Sequence, residues 1–298
     1  MSSIRINPFP IPDLLQALEK LQQQQNTATL QLATGSRINQ PSDDPEGASQ
    51  LVQIHDEESQ VDSFQSSIGT VSGLFSTADS TLSSVVTVLQ RAISLGVEGA
   101  NGTLSDSDRA DVAAELSGIQ TQLLSLANTS YRGQFIFAGT AETTPFVLDS
   151  TSPSGVRYAG NTGTNFVTIG SGYQVQTNLP GSQVFSGAGA DVFQSIQDLI
   201  TALQTNSGIA TAVDEVGAAF RYVTSQRVFY GNASNQTDSQ STYLNSEKLN
   251  LSQQENAVSA TDMAAVATGL SNGQLAANAT LEAISRISQS TTLFDYLK

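Results

Sequence analysis

ATGSRINQPSDDPEGAS, residues 33–49, interrupts a chain that otherwise reads as long helices. It is either an acidic catalytic loop or a corner between two helices. Gly35 gives a permissive backbone where a preceding helix ends. Ser42, Asp43 and Pro45 fit a turn. Asp44 directly before Pro45 fits a helix cap followed by proline at the first helical position. Adjacent carboxylates diverge in most backbones, whereas glycoside cleavage needs two that face each other across a bond. The stretch reads as a corner.

Outward from it, apolar residues recur at alternating spacings of three and four, the seam of helices packed along their length. Before the corner the seam is Leu14, Leu18, Leu21, Gln25, Ala28 and Leu32. After it come Val61, Phe64, Ile68, Val71, Phe75, Ala78, Leu82, Val85, Leu89 and Ala92. Further stripes run through Val112, Leu116, Ile119, Leu123 and Leu126, and through Ile209, Val213, Val216, Phe220 and Val223. The last is Met263, Val266, Leu270, Gly273, Ala277, Thr280, Ile284 and Ile287. The two end stripes are the weaker ones, with Gln25, Gly273 and Thr280 where a tight seam wants Leu or Ile. As helices over 13–34 and 260–297 they would be about 33 Å and 57 Å long. Neither has a core of its own, so each is expected to need a partner to stay helical. The alternative is that they pair with each other inside one chain.

Between the helical halves the pattern changes. Phe135–Phe137, Phe146–Leu148, Phe166–Ile169 and the alternating Tyr173, Val175, Thr177 and Leu179 are separated by Gly- and Asn-rich turns. They predict a small β-rich insertion. The expected class is mainly α, a long helical bundle or coiled coil built from both termini with this insertion. Its expected parts are a terminal layer (1–45 with 260–298), a central bundle (46–134 with 190–259) and the insertion (135–189).

Bulk composition excludes several functions. A formal charge of -15 argues against a nucleic-acid backbone or an anionic membrane as partner. No apolar run reaches the 18 residues of a membrane span, so no membrane insertion is expected. Cysteine is absent, which removes disulfides, thiolate chemistry and cysteine zinc sites. The N-terminal stretch lacks the apolar core of a secretory signal, so if the protein leaves the cell it is expected to use another route.

Catalytic signals are equally scarce. His55, the one histidine, sits beside Asp56, Glu57 and Glu58 in LVQIHDEES. That run lacks the spacing of a metal site and reads as a solvated helix face. There is no GxSxG, no second histidine to act as base, no Walker motif and no GxGxxG. The reading is no enzyme, with no catalytic, cofactor-binding or metal residues.

The corner also closely resembles the S-G-x-R-I-N-x-x-x-D-D-P-x-G-A segment of the bacterial flagellin superfamily. LQRAISLGVEGANGTLSDSDRADVAAEL (89–116) is similar to that family's helical region. LANTSYRGQFIFAGTAETTPF (126–146), VRYAGNTGTNFVTIGSGYQVQTNLPGSQVF (156–185) and ISRISQSTTLFDYLK (284–298) are similar to the branch found at the junction between hook and filament. NPFPIPDLL departs from the pattern with prolines at 8, 10 and 12, so the first helix is expected to begin near Asp13.

The resemblance implies a secreted structural protein of the bacterial flagellum, passing through the flagellar export apparatus with the help of a cytoplasmic export chaperone. Its implied partners are itself in a ring-like oligomer, hook-associated protein 1 and flagellin. It implies terminal helices that order on assembly, for which Leu14, Leu18, Leu21, Leu32, Leu270, Ala277, Ile284, Ile287 and Leu293 are the candidate interface. Gly35, Arg37, Asn39, Asp43, Asp44 and Pro45 hold the implied corner. Arg91, Leu95 and Glu115 match flagellin positions recognised by an innate immune receptor. The competing readings are flagellin itself, an extracellular enzyme or secreted glycan-binding module in the β insertion, and a coiled-coil adhesin.

Overall fold

The computed structural model describes residues 10–187 and 189–289. Two compact units emerge. One combines the chain up to Ser59 with the chain from Lys248 onward, and the other is Gln60–Glu247. The elements begin with α1 (Pro10–Thr34), α2 (Pro45–Gly99) and α3 (Asp106–Ala127). Short strands follow as β1 (Ser130–Tyr131), β2 (Gln134–Phe135), β3 (Phe146–Leu148), β4 (Val156–Tyr158), β5 (Phe166–Gly170) and β6 (Tyr173–Gln176). A single-turn α4 (Gly181–Phe185) leads to β7 (Ser186–Gly187), β8 (Ala190–Asp191) and α5 (Val192–Thr205). The chain closes with α6 (Ile209–Ser259) and α7 (Met263–Gln289). This is the mainly α class with a small β insertion that the periodicities predict.

In the unit Gln60–Glu247 the α2 seam is the core. Val61, Ile68, Val71, Phe75, Ala78, Leu82, Val85, Leu89 and Ala92 are all buried, and only Phe64 is left half-buried. Residues 209–247 of α6 run antiparallel to it. Gln65 donates to Asn245 (2.9 Å), Phe75 packs against Tyr230, and Arg227 forks onto both oxygens of Asp79 (2.9 and 3.0 Å). α3 packs on α5. It starts at a capping box in which the Ser105 hydroxyl accepts from the Asp108 N–H while Asp108 accepts from the Ser105 N–H.

The β insertion consists of antiparallel strand pairs, β1–β2, β3–β4, β5–β6 and β7–β8, with no larger sheet among the described residues. Such small ladders hold only when something else covers them. Phe137, Phe146, Phe185 and Phe193 provide that cover, stacked edge-on or tilted with centroids 5.1–6.1 Å apart, Tyr158 included. Asparagines wire the loops. Asn128 exchanges two bonds with the Phe146 backbone (2.8 and 2.9 Å), and Asn178 donates to the carbonyls of Gly139 and Gly163.

In the other unit, α1 and α7 pack side by side. The weak end seams therefore meet each other. α1 starts at Pro10, ahead of the expected Asp13. Prolines at 10 and 12 fall in the first turn, where backbone N–H groups have no intrahelical acceptor to lose. The stretch taken from 260 as one helix also starts later. α6 ends at Ser259, and Asp262 caps α7 by accepting from the N–H groups of Ala264 and Ala265 (3.0 Å each).

Candidate functional site

The corner joins α1 to α2 and binds the link between α6 and α7. α1 stops because Gly35 takes φ +73°, a left-handed value that costs glycine nothing, while its N–H still reaches the Gln31 carbonyl (2.8 Å). Ser36 then pairs antiparallel with Ala260 as an isolated bridge. Arg37 N–H donates to Ser259 O (2.7 Å), and Thr261 N–H donates to Gly35 O (3.1 Å).

Side chains fasten this bridge. Arg37 Nε donates to Val258 O (2.7 Å), and its Nη1 meets Asp44 Oδ2 at 2.9 Å. Asp43 Oδ2 accepts from the N–H groups of Asn39 (3.0 Å) and Gln40 (2.9 Å), and Asn39 Nδ2 donates to Ser36 O (2.8 Å). Asp44 Oδ1 accepts from Gly47 N–H (3.0 Å), which makes it the cap of α2 with Pro45 at the first helical position. That cap bond, and then the Arg37 guanidinium, hold the Asp44 carboxyl below the usual aspartate range. Ile38 is buried under the turn, and a side chain on Gly47 would strike its Cδ1 at 2.5 Å. Gly35, Arg37, Asn39, Asp43 and Asp44 thus bond within one corner, and Pro45 opens the helix that follows it. Asp43 through Oδ2, and Asp44 through both carboxylate oxygens, accept from backbone N–H groups and Arg37.

The candidate interface residues fall on the facing sides of α1 and α7. Leu14, Leu18, Leu21 and Leu32, and likewise Leu270, Ala277, Ile284 and Ile287, are all only half-buried. No residue of either helix belongs to the buried core. Gln25 sits in the seam against Gly273, and its side-chain nitrogen is buried without a partner. Ile11, Leu15 and Leu30 on α1, and Met263, Leu275 and Leu281 on α7, remain exposed. Leu293 lies outside the described residues.

Arg91 and Glu115 form an exposed ion pair, Nε and Nη2 both donating to Oε1 (3.0 and 2.7 Å). Leu95 is 2% exposed and belongs to the core, so only the two charged members of that trio present themselves at the surface.

One association escaped the sequence reading. Glu255 of α6 meets His55 of α2, Oε1 to Nε2 3.1 Å, with Glu58 beside them. The partners lie 200 positions apart, so no local motif announces them.

A corner of this chemistry, joining a helix that pairs with the far end of the chain to a long seam helix, defines a helical protein whose two ends are tied at one bend. Residues 13–142 match the family model described as the bacterial flagellin N-terminal helical region. The chain is 42% identical over 118 residues to flagellar hook-associated protein 3 of Escherichia coli (strain K12), a stretch covering 39% of this chain and 37% of that relative. The match thus spans little more than a third of that relative's length. In fold, the chain resembles a Vibrio parahaemolyticus structure assigned as a flagellar hook-associated protein (TM-score 0.68, 24% identity, 73% of this chain and 100% of that one). It also resembles the flagellar junction protein FlgL from Legionella pneumophila (TM-score 0.60, 16% identity, 71% and 100%). No described helix is long and apolar enough to cross a membrane.

Proposed function

We propose that this chain is a structural subunit of the bacterial flagellum of the hook-associated protein 3 type, joining the hook to the filament. What carries the reading is the 42% identity to a hook-associated protein 3, in a chain whose corner side chains are all engaged in holding helices together. The proposed partners are further copies of itself in a ring-like oligomer, hook-associated protein 1 on the hook side and flagellin on the other. Export proceeds through the flagellar apparatus, with a cytoplasmic chaperone beforehand, and the role is structural rather than enzymatic.

In this reading the half-buried faces of α1 and α7 close against neighbouring subunits, forming the terminal layer of 1–45 and 260–298. The central bundle (46–134 with 190–259) forms the next layer, and residues 135–189 project from it. Ordering flexible ends costs roughly 1–2 kcal/mol per residue in backbone entropy. Helices that bury little within one chain recover that cost only where neighbours cover them. Coupling order to docking restricts growth to an existing tip.

Deletion of the gene, followed by microscopy of cells and assay of flagellin in cells and medium, tests the role. Hooks without filaments and flagellin spilled into the medium are expected. Hooks with no flagellin anywhere would identify the chain as the filament protein instead. Normal attached filaments, in a strain with no second copy, would remove the flagellar reading altogether.

A further inference from the structure

His55 is the chain's one histidine, and the fold sets it between two glutamates. Glu58 follows it by three residues on α2, the spacing that puts both side chains on one helix face. Glu255 reaches across from α6. Ligand atoms of the three lie within 4.8 Å of one another, and the His55 Nε2–Glu255 Oε1 distance is 3.1 Å. A tetrahedral zinc ion with nitrogen and oxygen ligands at about 2.0–2.1 Å has ligand–ligand edges of roughly 3.3 Å. The imidazole and one carboxylate already stand near that edge length, and a Glu58 carboxylate oxygen lies within 4.8 Å of both.

The charge balance points the same way. Glu255 bonds the imidazole and Glu58 lies within 4.8 Å, and neither carboxylate has an Arg or Lys ion-pair partner among the described residues. Asp56 and Glu57 add negative charge on the same turn of α2. A divalent cation would cancel the two carboxylate charges that a neutral imidazole leaves standing. The His55 side chain is 57% exposed, so an ion reaches the trio directly from solvent. One imidazole with two carboxylates suits zinc and its first-row neighbours, whereas calcium and magnesium take oxygen ligands.

We propose that His55, Glu58 and Glu255 bind one divalent transition-metal ion of the zinc class, with water completing the coordination. The third ligand arrives only when α2 and α6 lie side by side, so the bound ion clips the two helices together and stabilises that arrangement by mass action.

The test uses the full chain, untagged and stripped with chelator, titrated calorimetrically with Zn2+ and spectroscopically with Co2+. One ion per chain is expected, with visible cobalt bands of tetrahedral intensity and an upward shift of the thermal transition by Zn2+ that equal Mg2+ does not reproduce. His55→Ala should abolish the cobalt bands. Glu58→Gln and Glu255→Gln should each weaken binding at least about tenfold, with circular dichroism spectra unchanged. The absence of saturable binding overturns the site. So does binding that His55→Ala leaves intact, or that Mg2+ matches, since either outcome assigns the ions to general acidic surface.

Discussion

Asp44 takes part in three bonds at once: Oδ1 receives the Gly47 N–H, Oδ2 receives Arg37, and its carbonyl receives the Ala48 N–H. Because its carboxyl is held below the usual range, the stabilisation it contributes is fully present above about pH 4, the ordinary aspartate value. That contribution is lost as pH falls through the lowered folded value. Asp44→Asn should therefore be less stable than the wild type at neutral pH, with the gap closing in acid, as denaturant titrations at several pH values would record. In the same experiment Gly35→Ala should lose about 1–2 kcal/mol at every pH, since its cost is steric strain at φ +73°. A Gly35→Ala loss that tracked pH, or an Asp44→Asn gap that did not, would contradict this account of the corner. Gly35, Asp44 and Pro45 are legible in the sequence because each acts on its immediate neighbours. The Arg37 bond to Val258 and the Glu255 bond to His55 are not, because their partners lie 221 and 200 positions away.

Among the elements, α2 was legible along its length because its buried positions carry Val, Ile, Leu and Phe. In the sequence the α6 seam is visible only to Val223. It continues through Tyr230, Ala233, Thr237, Leu244 and Leu251, all buried, at steps of three, four or seven residues. Alanine, threonine and intervening glutamines give little hydrophobic contrast, so the periodicity fades from the sequence while persisting in the fold. The β insertion was found from its turn residues, but the pairing of β4 and the aromatic cluster beneath it depend on contacts that periodicity does not encode. For α1 and α7 the 3–4 spacing picks out positions that are half-buried in the fold, while what those positions face is not written in the spacing. With only half-buried seams they should be the least protected long helices of the isolated chain. Brief proteolysis of purified monomer should trim roughly the first 40 and last 40 residues and spare the remainder. Termini as resistant as α2 and α3 would remove the case for ends that order on assembly.

At the scale of the whole chain, the corner joins residues from opposite ends of the sequence, Arg37 to Val258 and Ser259, Gly35 to Thr261. Closing a disordered loop of 221 residues costs about 5 kcal/mol in chain entropy, more than this handful of bonds returns. Once the antiparallel contacts of α2 with α6 have formed, most of that loop is already closed, and the remaining cost is small. The corner therefore has a place in time as well as in space: it closes late. In pulse-labelled hydrogen exchange during refolding, amides of Leu82, Leu116 and Val216 should gain protection before those of Arg37 and Thr261. Simultaneous protection would mean that the ends meet by themselves. A bend that closes only on chains whose middle is finished acts as a checkpoint, separating completed chains from half-folded ones before their ends are paired.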